Sequence, residues 1–386
     1  MKAVLDLFAG TGVGVACHQL GVPEHGVEIW GPAIATREVV GFNTPYNDVW
    51  DIQKAEGIDF DTLWASPPCQ TFSAAGKGKG REALDQIINL VESGVWKDVV
   101  ELKKATEPLG DDRTGLVLTP LSYIHRFGPT YIALEQVPTV LPVWRAYAEV
   151  LERCYGYSVW VGYLHAEQYG VPQTRKRAFL IARRDGETAE PPVPTHSKYY
   201  PRDPSKFDGG VLPWVSMAEA LGWGLTSAPS PTITGHLGVT RSPSGTQKTY
   251  LREIDNNEFT FKNADNTPSK RATSGIGAMF PPGHVNINNE EGGVLQSYPA
   301  WCFDRPSTTV VGTFRPDVIS PPGYRTVGGP SRQNAEGGYV STVDERTTLM
   351  SYDSPFPFQG TKGQIAQQIG NAVPPLLARR VLETFL

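Results

Sequence analysis

The residues of this chain that are best placed to do chemistry surround Cys69. The apolar run Phe60–Ala65 is typical of a short buried strand. The prolines of Ser66–Pro68 end it, because proline cannot donate to a strand ladder and fixes its own φ. We therefore expect Cys69 on a stiff turn at the carboxyl end of a strand, where open α/β sheets bind ligands. We interpret it as a nucleophile, and the alternative is a small buried cysteine before an ordinary loop.

The segment after this cysteine is rich in glycine and positive charge. Lys77, Lys79 and Arg81 alternate with glycines at its end. Such a segment can move as a hinge and can contact an anionic substrate. The pattern therefore indicates a nucleophile with a basic lid beside it.

Composition limits the class of protein. A length of 386 residues allows a large core and predicts two domains, and 40% apolar with 19% charged residues is typical of a soluble globular protein. The net charge of −5 does not indicate a nucleic-acid binder. A protein with a negative net charge can nevertheless have a positively charged cleft. The four cysteines lack metal-binding or disulfide spacing, so we expect no metal site. No signal peptide is evident and no apolar run approaches the ~18 residues of a membrane span, which predicts a cytoplasmic protein without membrane contact.

The first part of the chain has the pattern of a nucleotide-binding α/β unit. The apolar run Lys2–Phe8 predicts a strand, Ala9–Gly14 a glycine turn, and Val15–Leu20 a helix that Gly21 ends. The glycines permit a tight turn and close approach of the backbone to a ligand. The same turn is also common in purely structural roles.

Two acidic residues follow at positions that suit a nucleoside. Glu28 stands near the end of the predicted strand Gly26–Ile29, where a carboxylate can accept both hydroxyls of a ribose. Asp51, in Val49–Ile52, closes the next unit and could reach an adenine edge. Each acid alone is more often a solvated side chain, but both in register with the glycine turn favour a nucleotide site.

Five sequence blocks in order connect these features. The blocks are Asp6–Gly12, Ser66–Ser73, Leu134–Pro138, Tyr169–Arg177 and Gln368–Pro375. Together they resemble the DNA (cytosine-5) methyltransferases, which use S-adenosylmethionine and leave S-adenosylhomocysteine.

The resemblance implies an α/β, Rossmann-like S-adenosylmethionine-dependent domain: a mixed seven-stranded sheet with helices on both faces. We expect residues 1–185 and 362–386 to form this catalytic, cofactor-binding domain. Residues 186–361, rich in Pro, Gly, Asn, Ser and Thr, would form a smaller, loop- and β-rich target-recognition domain. Duplex DNA would lie in the cleft between the two.

The resemblance also assigns catalytic roles. Cys69 would add to C6 of a cytosine flipped out of the duplex, which makes C5 nucleophilic enough to take a methyl group. A protonated Glu135 would donate to N3 of the ring and accept from the exocyclic amine. Arg177 would hold O2, and Arg175 would order the same site or the thiolate. Most relatives carry asparagine at the position of Gln136, so the support of Glu135 is expected to differ here.

The same resemblance implies further site residues. Val13 replaces a usual glycine, and Ile29 stands where an aromatic side chain often covers adenine. The cofactor-binding residues implied are Phe8, Gly10, Gly12, Glu28, Ile29, Asp51, Ile52, Pro68, Leu116, Asn371 and Val373. The DNA-binding residues implied are Gln70, Ser73, Lys77, Lys79, Arg81 and Gln173.

One segment, residues 82–111, is longer than many relatives carry. Its apolar residues recur at helical spacing, which predicts one or two helices beside the catalytic loop. We interpret it as a packing elaboration, and the alternative is a platform that contacts DNA or limits loop motion.

Other functions stay open at this point. One alternative is a related enzyme that acts on RNA or transfers a group other than methyl. Others are a DNA-binding protein with an inactive catalytic domain and, less well supported, a nicotinamide dehydrogenase. We expect a monomer in a bacterial or phage-infected cell, associated with the nucleoid. A restriction-linked role would add a cognate endonuclease as partner, whereas an orphan or phage-encoded role would not.

Overall fold

The computed structural model describes residues 1–68, 79–109, 113–198, 210–215, 217–221 and 342–386, together with short strands between residues 239 and 340. For residues 79–83, 217, 218 and those short strands it describes the backbone alone. None of the helices in these parts of the chain is long and apolar enough to cross a bilayer.

A seven-stranded mixed sheet forms the centre of the fold. The strands are β1 (Val4–Leu7), β2 (Glu24–Val27), β3 (Asn43–Tyr46), β4 (Thr62–Ala65), β5 (Tyr131–Gln136), β6 (Ser158–His165) and β8 (Lys176–Arg183), while β7 (Gln173–Thr174) lies outside this sheet. Their order is β3-β2-β1-β4-β5-β8-β6. Strands β1 to β5 pair in parallel, and β8 is antiparallel to both β5 and β6. The predicted mixed seven-stranded sheet is confirmed.

Helices cover both faces of this sheet. They are α1 (Gly12–Leu20), α2 (Gly31–Val40), α3 (Lys79–Ser93), α4 (Val99–Thr106), α5 (Thr119–Phe127), α6 (Leu141–Tyr155), α7 (Met217–Ala220), α8 (Val343–Leu349), α9 (Lys362–Asn371) and α10 (Pro375–Leu382). Gly21 ends α1 in the left-handed conformation, φ 66°, as predicted. The last helix, α10, packs back on α1, because Leu377 and Val381 share an apolar cluster with Val13 and Ala16.

The central strands are buried on both faces, which explains their mostly apolar sequences. Leu5 and Leu7 of β1 contribute to the larger of the two main cores. The alternate residue Val4 joins Trp64 and Phe179 in the core on the opposite face. The sheet therefore holds its strand ends between two packed layers.

The predicted helices of segment 82–111 are present as α3 and α4. Ile87, Val91, Trp96 and Leu102 are fully or almost fully buried in the larger core. The indole N–H of Trp96 donates to the Val91 carbonyl at 2.8 Å, and Ser122 on α5 donates to the Trp96 carbonyl at 2.7 Å. This packing supports the interpretation as a structural elaboration.

Two predicted boundaries shift. Strand β2 spans Glu24–Val27, so Glu28 follows the strand instead of lying within it. Asp51 lies at the start of a 3₁₀ turn, Ile52–Ala55, well after β3 ends at Tyr46. In both cases the acidic side chain still follows a parallel strand at its carboxyl end.

The variable region contains short strands. They are β9 (Val239–Arg241), β10 (Gln247–Thr249), β11 (Leu251–Asp255), β12 (Glu258–Lys262), β13 (Val285–Asn288), β14 (Val294–Tyr298), β15 (Ser307–Thr308), β16 (Val318–Ile319) and β17 (Tyr339–Val340). Strand β15 pairs in parallel with β7, so the backbone of this region joins that of the Tyr169–Arg177 block. The division into domains at 186 and 361 stays a prediction.

Candidate active site

The carboxyl ends of β1, β4 and β5 lie side by side at one edge of the sheet. Strand order reverses between β1 and β4, and such a reversal opens a crevice where α/β sheets bind ligands. The glycine turn follows β1, Ser66–Pro68 follows β4, and Glu135 lies at the end of β5. The fold therefore brings three of the predicted blocks to one place.

The turn after β1 has a constrained backbone. Phe8 has φ 63° and Gly10 has φ 48°. The left-handed region is unusual for a bulky residue, and such outliers cluster at ligand-binding sites. The amide of Ala9 donates to the Val27 carbonyl at 3.1 Å, which fixes the turn against the end of β2.

Gly12 leaves no room for a side chain. A Cβ atom placed on it would lie 2.0 Å from the carbonyl oxygen of Val373, at the far end of the chain. The Thr11 hydroxyl and the Tyr352 phenol hydrogen-bond at 2.8 Å beside this contact. The glycine is thus what allows the carboxyl-terminal segment to pack on the turn.

We expect Gly12→Ala to destabilise the protein by about 1–3 kcal/mol, because the added methyl group overpacks a backbone contact that cannot relax alone. Gly31→Ala is the matched control. Gly31 is likewise the first residue of a helix, and a Cβ there meets nothing within 4 Å. Urea unfolding of both variants measures the difference, and equal midpoints would show that the carboxyl-terminal segment is not packed on Gly12.

Glu28 faces the glycine turn directly. Its carboxylate accepts from the Gly10 amide at 2.9 Å and from the Trp30 amide at 2.8 Å. A carboxylate has about four lone-pair positions, so two remain for hydroxyl groups of a ligand. The backbone therefore fixes the orientation of Glu28.

A buried arginine, Arg37, hydrogen-bonds the backbone of the glycine turn after β1. Sequence analysis did not identify it. The Arg37 guanidinium donates to the Gly10 carbonyl at 3.0 Å and to both carboxylate oxygens of Glu24 at 2.9 and 2.8 Å. It also donates to the Asn43 carbonyl at 2.6 Å and to the Thr44 hydroxyl at 2.9 Å. Arg37 thus ties the glycine turn to β2 and β3.

Asp6 lies next to this ion pair with its carboxylate fully buried. Neither oxygen has a hydrogen-bond partner in the described parts of the chain. Burial raises the pKa of Asp6 well above its ordinary value, Glu24 adds to the shift, and Arg37 opposes it. Burial likewise raises the pKa of Glu24, against the effect of Arg37. Arg37 is therefore the counterion for two buried acids.

The structure describes four further residues that were predicted to contact the cofactor. Ile29 is 69% exposed, although it lies only two residues after the buried end of β2. Asp51 pairs with Lys54 at 2.7 Å, and Ile52 is buried in the larger core. Leu116 is half-buried against that core. Their contacts with a nucleoside stay a prediction.

Glu135 is held by donors from the strands on either side of β5. The Arg177 Nε lies 3.1 Å from Oε1 of Glu135, and the Ser66 hydroxyl forms a further hydrogen bond with the carboxylate. Burial raises the pKa of Glu135 above its ordinary value. Arg177, Arg175 and Ser66 favour the ionised form and offset this only in part. A carboxyl in this environment can hold a proton at a higher pH than an exposed glutamate.

Gln136 connects Glu135 to the turn before Cys69. Its amide nitrogen donates to the Pro67 carbonyl, and its amide oxygen accepts from the Val137 amide. The side chain is buried, so these bonds are shielded from water. Gln136, which stands where most relatives have asparagine, thus joins the end of β5 to the proline turn.

Arg175 contacts the carboxyl-terminal segment of the chain. Its guanidinium donates to the carbonyls of Gly370 at 3.2 Å and Ala372 at 2.9 Å. The charge still acts on Glu135 at longer range. Arg175 therefore holds the carboxyl-terminal segment on which Asn371 is exposed and Val373 is buried.

Comparison with known proteins decides the family. The family model for C-5 cytosine-specific DNA methylases matches residues 2–386. The chain belongs to the C-5 cytosine-specific DNA methylase family. The predicted resemblance is therefore confirmed across the chain.

Two curated members of the family show the extent of the similarity. The Type II methyltransferase M1.HphI of Haemophilus parahaemolyticus is 26% identical over 330 residues, which cover 84% of this chain and 68% of that protein. The Type II methyltransferase M1.HgaI of Avibacterium volantium is 27% identical over 356 residues, covering 87% of this chain and 81% of that protein.

Solved structures share the fold. A putative DNA modification methyltransferase encoded within an E. coli prophage superposes with a TM-score of 0.54 at 16% identity, covering 100% of this chain and 98% of that one. The methyltransferase EhMeth of Entamoeba histolytica gives 0.53 at 11% identity, covering 99% and 97%. The Rossmann-like methyltransferase fold is thereby confirmed.

Several predicted methylase residues lie outside the described residues, namely Cys69, Gln70, Ser73 and Lys77. Lys79 and Arg81 lie in the first turn of α3, where only the backbone is described. Gln173 is fully buried, and its amide nitrogen donates to the Leu349 carbonyl at 2.9 Å. In this conformation Gln173 holds the end of α8, and its predicted contact with DNA remains a prediction.

Proposed function

We propose that this methylase transfers a methyl group from S-adenosylmethionine to C5 of a cytosine flipped out of duplex DNA, through a covalent bond between Cys69 and C6. One observation carries the proposal: the buried Glu135, paired with Arg177 at 3.1 Å, is joined by Gln136 to the proline turn that immediately precedes Cys69. An acid, a cation and the turn that precedes the proposed nucleophile therefore meet at one edge of the sheet.

The residues after β1 and β2 fit S-adenosylmethionine. A Cβ on Gly10 would meet nothing within 4 Å, so the turn faces open space, and Glu28 is oriented beside it. We assign the ribose to Glu28, the adenine to Ile29, Asp51 and Ile52, and the remaining contacts to Phe8, Gly12, Pro68, Leu116, Asn371 and Val373. When bound, the cofactor supplies a methyl group on a sulfonium, which is a strong leaving group. The exposed apolar side chain of Ile29 would be covered by a base.

The protein residues activate C5 of cytosine, which is not nucleophilic enough by itself. C5 is a poor nucleophile while the ring is aromatic, and addition of the Cys69 thiolate at C6 makes C5 resemble an enamine carbon. Negative charge then develops on the ring. Protonated Glu135 donates to N3 and neutralises it, while Arg177 holds O2. After C5 takes the methyl group, a base removes the C5 proton, the C5–C6 double bond re-forms and the thiolate leaves, while N3 returns its proton to the Glu135 carboxylate.

The environment of Glu135 suits this role. Its raised pKa extends the pH range over which the carboxyl keeps its proton. Arg177 opposes the shift, so the group can return to the ionised form after it has donated. The pair is therefore arranged to keep the Glu135 carboxyl protonated at a higher pH than an exposed glutamate.

Base flipping costs a few kcal/mol, which contacts to DNA must recover. We assign these contacts to residues 186–361 and to the polar and basic segment after the nucleophile, with Gln70, Ser73, Lys77, Lys79 and Arg81. The names of the relatives extend the proposal to a Type II restriction–modification setting in a bacterial cell.

Trapping tests the covalent mechanism. Duplex DNA of mixed sequence in which 5-fluorocytosine replaces cytosine cannot lose the C5 substituent as a proton, so the adduct should persist. We expect a denaturant-resistant complex that requires S-adenosylmethionine, with the crosslink mapped to the peptide containing Cys69. Methyl transfer to ordinary duplex DNA without any crosslink through residue 69 would reject the mechanism. Preferential labelling of tRNA over DNA would reject the substrate.

A further inference from the structure

We propose that Trp64 and Ser66 form a fixed donor chain that positions the Glu135 carboxyl for catalysis. The inference rests on the proposed function, because it concerns the residue that would donate a proton to the base. Ser66 is thereby assigned as a positioning residue, a role that its place before two prolines does not reveal.

The chain begins at an immobile indole. Trp64 on β4 is completely buried, and its ring packs edge-on against Phe179 of β8, with centroids 6.2 Å apart at 79°. Its Nε1–H donates to the Ser66 Oγ at 3.0 Å. Ser66 directly follows β4, two positions after Trp64, and this bond keeps the two side chains on the same face of the sheet.

The indole decides how the serine hydroxyl is used. A tryptophan N–H can only donate, so the bond from Trp64 occupies a lone pair of the Ser66 oxygen and leaves its proton to point elsewhere. The register of β4 and β5 places Glu135 beside Ser66 as the acceptor. Because the indole occupies one of the two lone pairs of the Ser66 oxygen, Trp64 favours donation from Ser66 to Glu135 over the reverse bond.

Strand register brings the parts together. Ala65 pairs with Leu134 in parallel β4 and β5, so the next residues, Ser66 and Glu135, are neighbours. Glu135 pairs with Phe179 on the other side, which makes Arg177 its diagonal neighbour. The carboxyl is thus held from both flanking strands, by a neutral donor and by a charged one.

The charged groups that act on Glu135 in the described structure are Arg177 and Arg175. The Arg175 guanidinium also donates to the carbonyls of Gly370 and Ala372. Arg177 lies within contact distance but stands on one side only. Loss of the Ser66 bond would therefore leave the carboxyl free to rotate about the Arg177 contact and would disfavour its ionised form.

The test is the pH dependence of methyl transfer, measured with tritiated S-adenosylmethionine and mixed-sequence duplex DNA. A break point is a pH at which the slope of the rate profile changes because one group titrates. The break point that is absent from the profile of the Glu135→Gln variant is assigned to Glu135. In Ser66→Ala we expect this break point to rise by roughly 0.5–1 pH unit, because the ionised carboxyl loses a donor. We also expect the maximal rate to fall about tenfold, because the carboxyl loses one of its two anchors.

Three further variants separate positioning from folding. Ser66→Thr keeps the hydroxyl and should restore the wild-type break point. Trp64→Phe keeps Ser66 and removes the indole donor, so it should move the break point in the same direction by less. Thr62→Val is the matched control on the same strand, since the Thr62 hydroxyl bonds Asp61 at 2.9 Å at the opposite end of β4. It should leave the profile unchanged.

The outcomes are distinguishable. An unchanged break point in both Ser66→Ala and Trp64→Phe, with the wild type active, overturns the positioning role and leaves the proposed function intact. If Ser66→Ala does not fold, a shift in Trp64→Phe supports the inference and an unshifted profile overturns it. A wild-type protein that methylates no DNA overturns the proposed function, and this inference with it.

Discussion

Replacing Cys69 with alanine is expected to lower methyl transfer by about 10⁴-fold or more while duplex DNA binding stays within about twofold. Without the thiolate, nothing adds to C6, so C5 keeps its weak nucleophilicity. Affinity for DNA comes mainly from phosphate contacts, which this change does not touch. Incorporation of tritiated methyl into DNA and a gel-shift titration at fixed salt measure the two quantities.

Cys154→Ala is the matched control, because Cys154 is an exposed cysteine on α6, away from the sheet edge that carries Glu135. It should keep full activity. Substantial methyl transfer by the Cys69→Ala variant would remove the covalent mechanism. Equal loss of DNA binding and activity would instead indicate that the proline turn itself had been displaced.

The sheet was predictable because its central strands carry the strongest local signals. Strands β1, β4 and β5 are mostly apolar runs that end close to a glycine, a proline or a charged residue. Such runs are typical of parallel strands that are covered on both faces. Once the strand ends are known, the positions of Glu28 and Glu135 at one edge follow from the topology.

Arg37 could not be found in this way. Its helix, α2, has no sequence feature that distinguishes a buried arginine from a solvated one, and lone arginines on helices are mostly exposed. Its partners are side chains and carbonyls from β2, β3 and the glycine turn, which meet only in the folded chain. A contact set of this kind has no local sequence pattern.

Gln136 and Gln173 illustrate the limit of a resemblance. At Gln136 the family pattern indicated altered support for Glu135, and the structure supplies the contact to the Pro67 carbonyl. At Gln173 the pattern indicated DNA contact, whereas the described side chain is buried against α8. A motif identifies that a residue matters, but the contacts that give it a role depend on neighbours far away in sequence.

The ion pair under the glycine turn should control stability. We expect Arg37→Met to destabilise the protein by about 3–5 kcal/mol, because it leaves the carboxylates of Glu24 and Asp6 buried without a counterion. Lysine should not substitute, since a single ammonium cannot reproduce the paired donors to Glu24. Urea unfolding of the variants measures the loss, and Arg145→Met on the exposed face of α6 is the control, expected within about 0.5 kcal/mol of wild type.

The pH dependence of the loss identifies its cause. Both acids have a raised pKa in the folded state, so above about pH 4 the unfolded chain ionises first and the folded state loses relative stability as pH rises. Removing Arg37 raises both pKa values further, so the variant should lose more stability at pH 7 than at pH 5. The double variant Arg37→Met/Glu24→Gln should recover part of the loss at pH 7, because one uncompensated carboxylate is gone. A loss that is independent of pH, with no recovery in the double variant, would mean that Arg37 stabilises the fold through packing and not through charge.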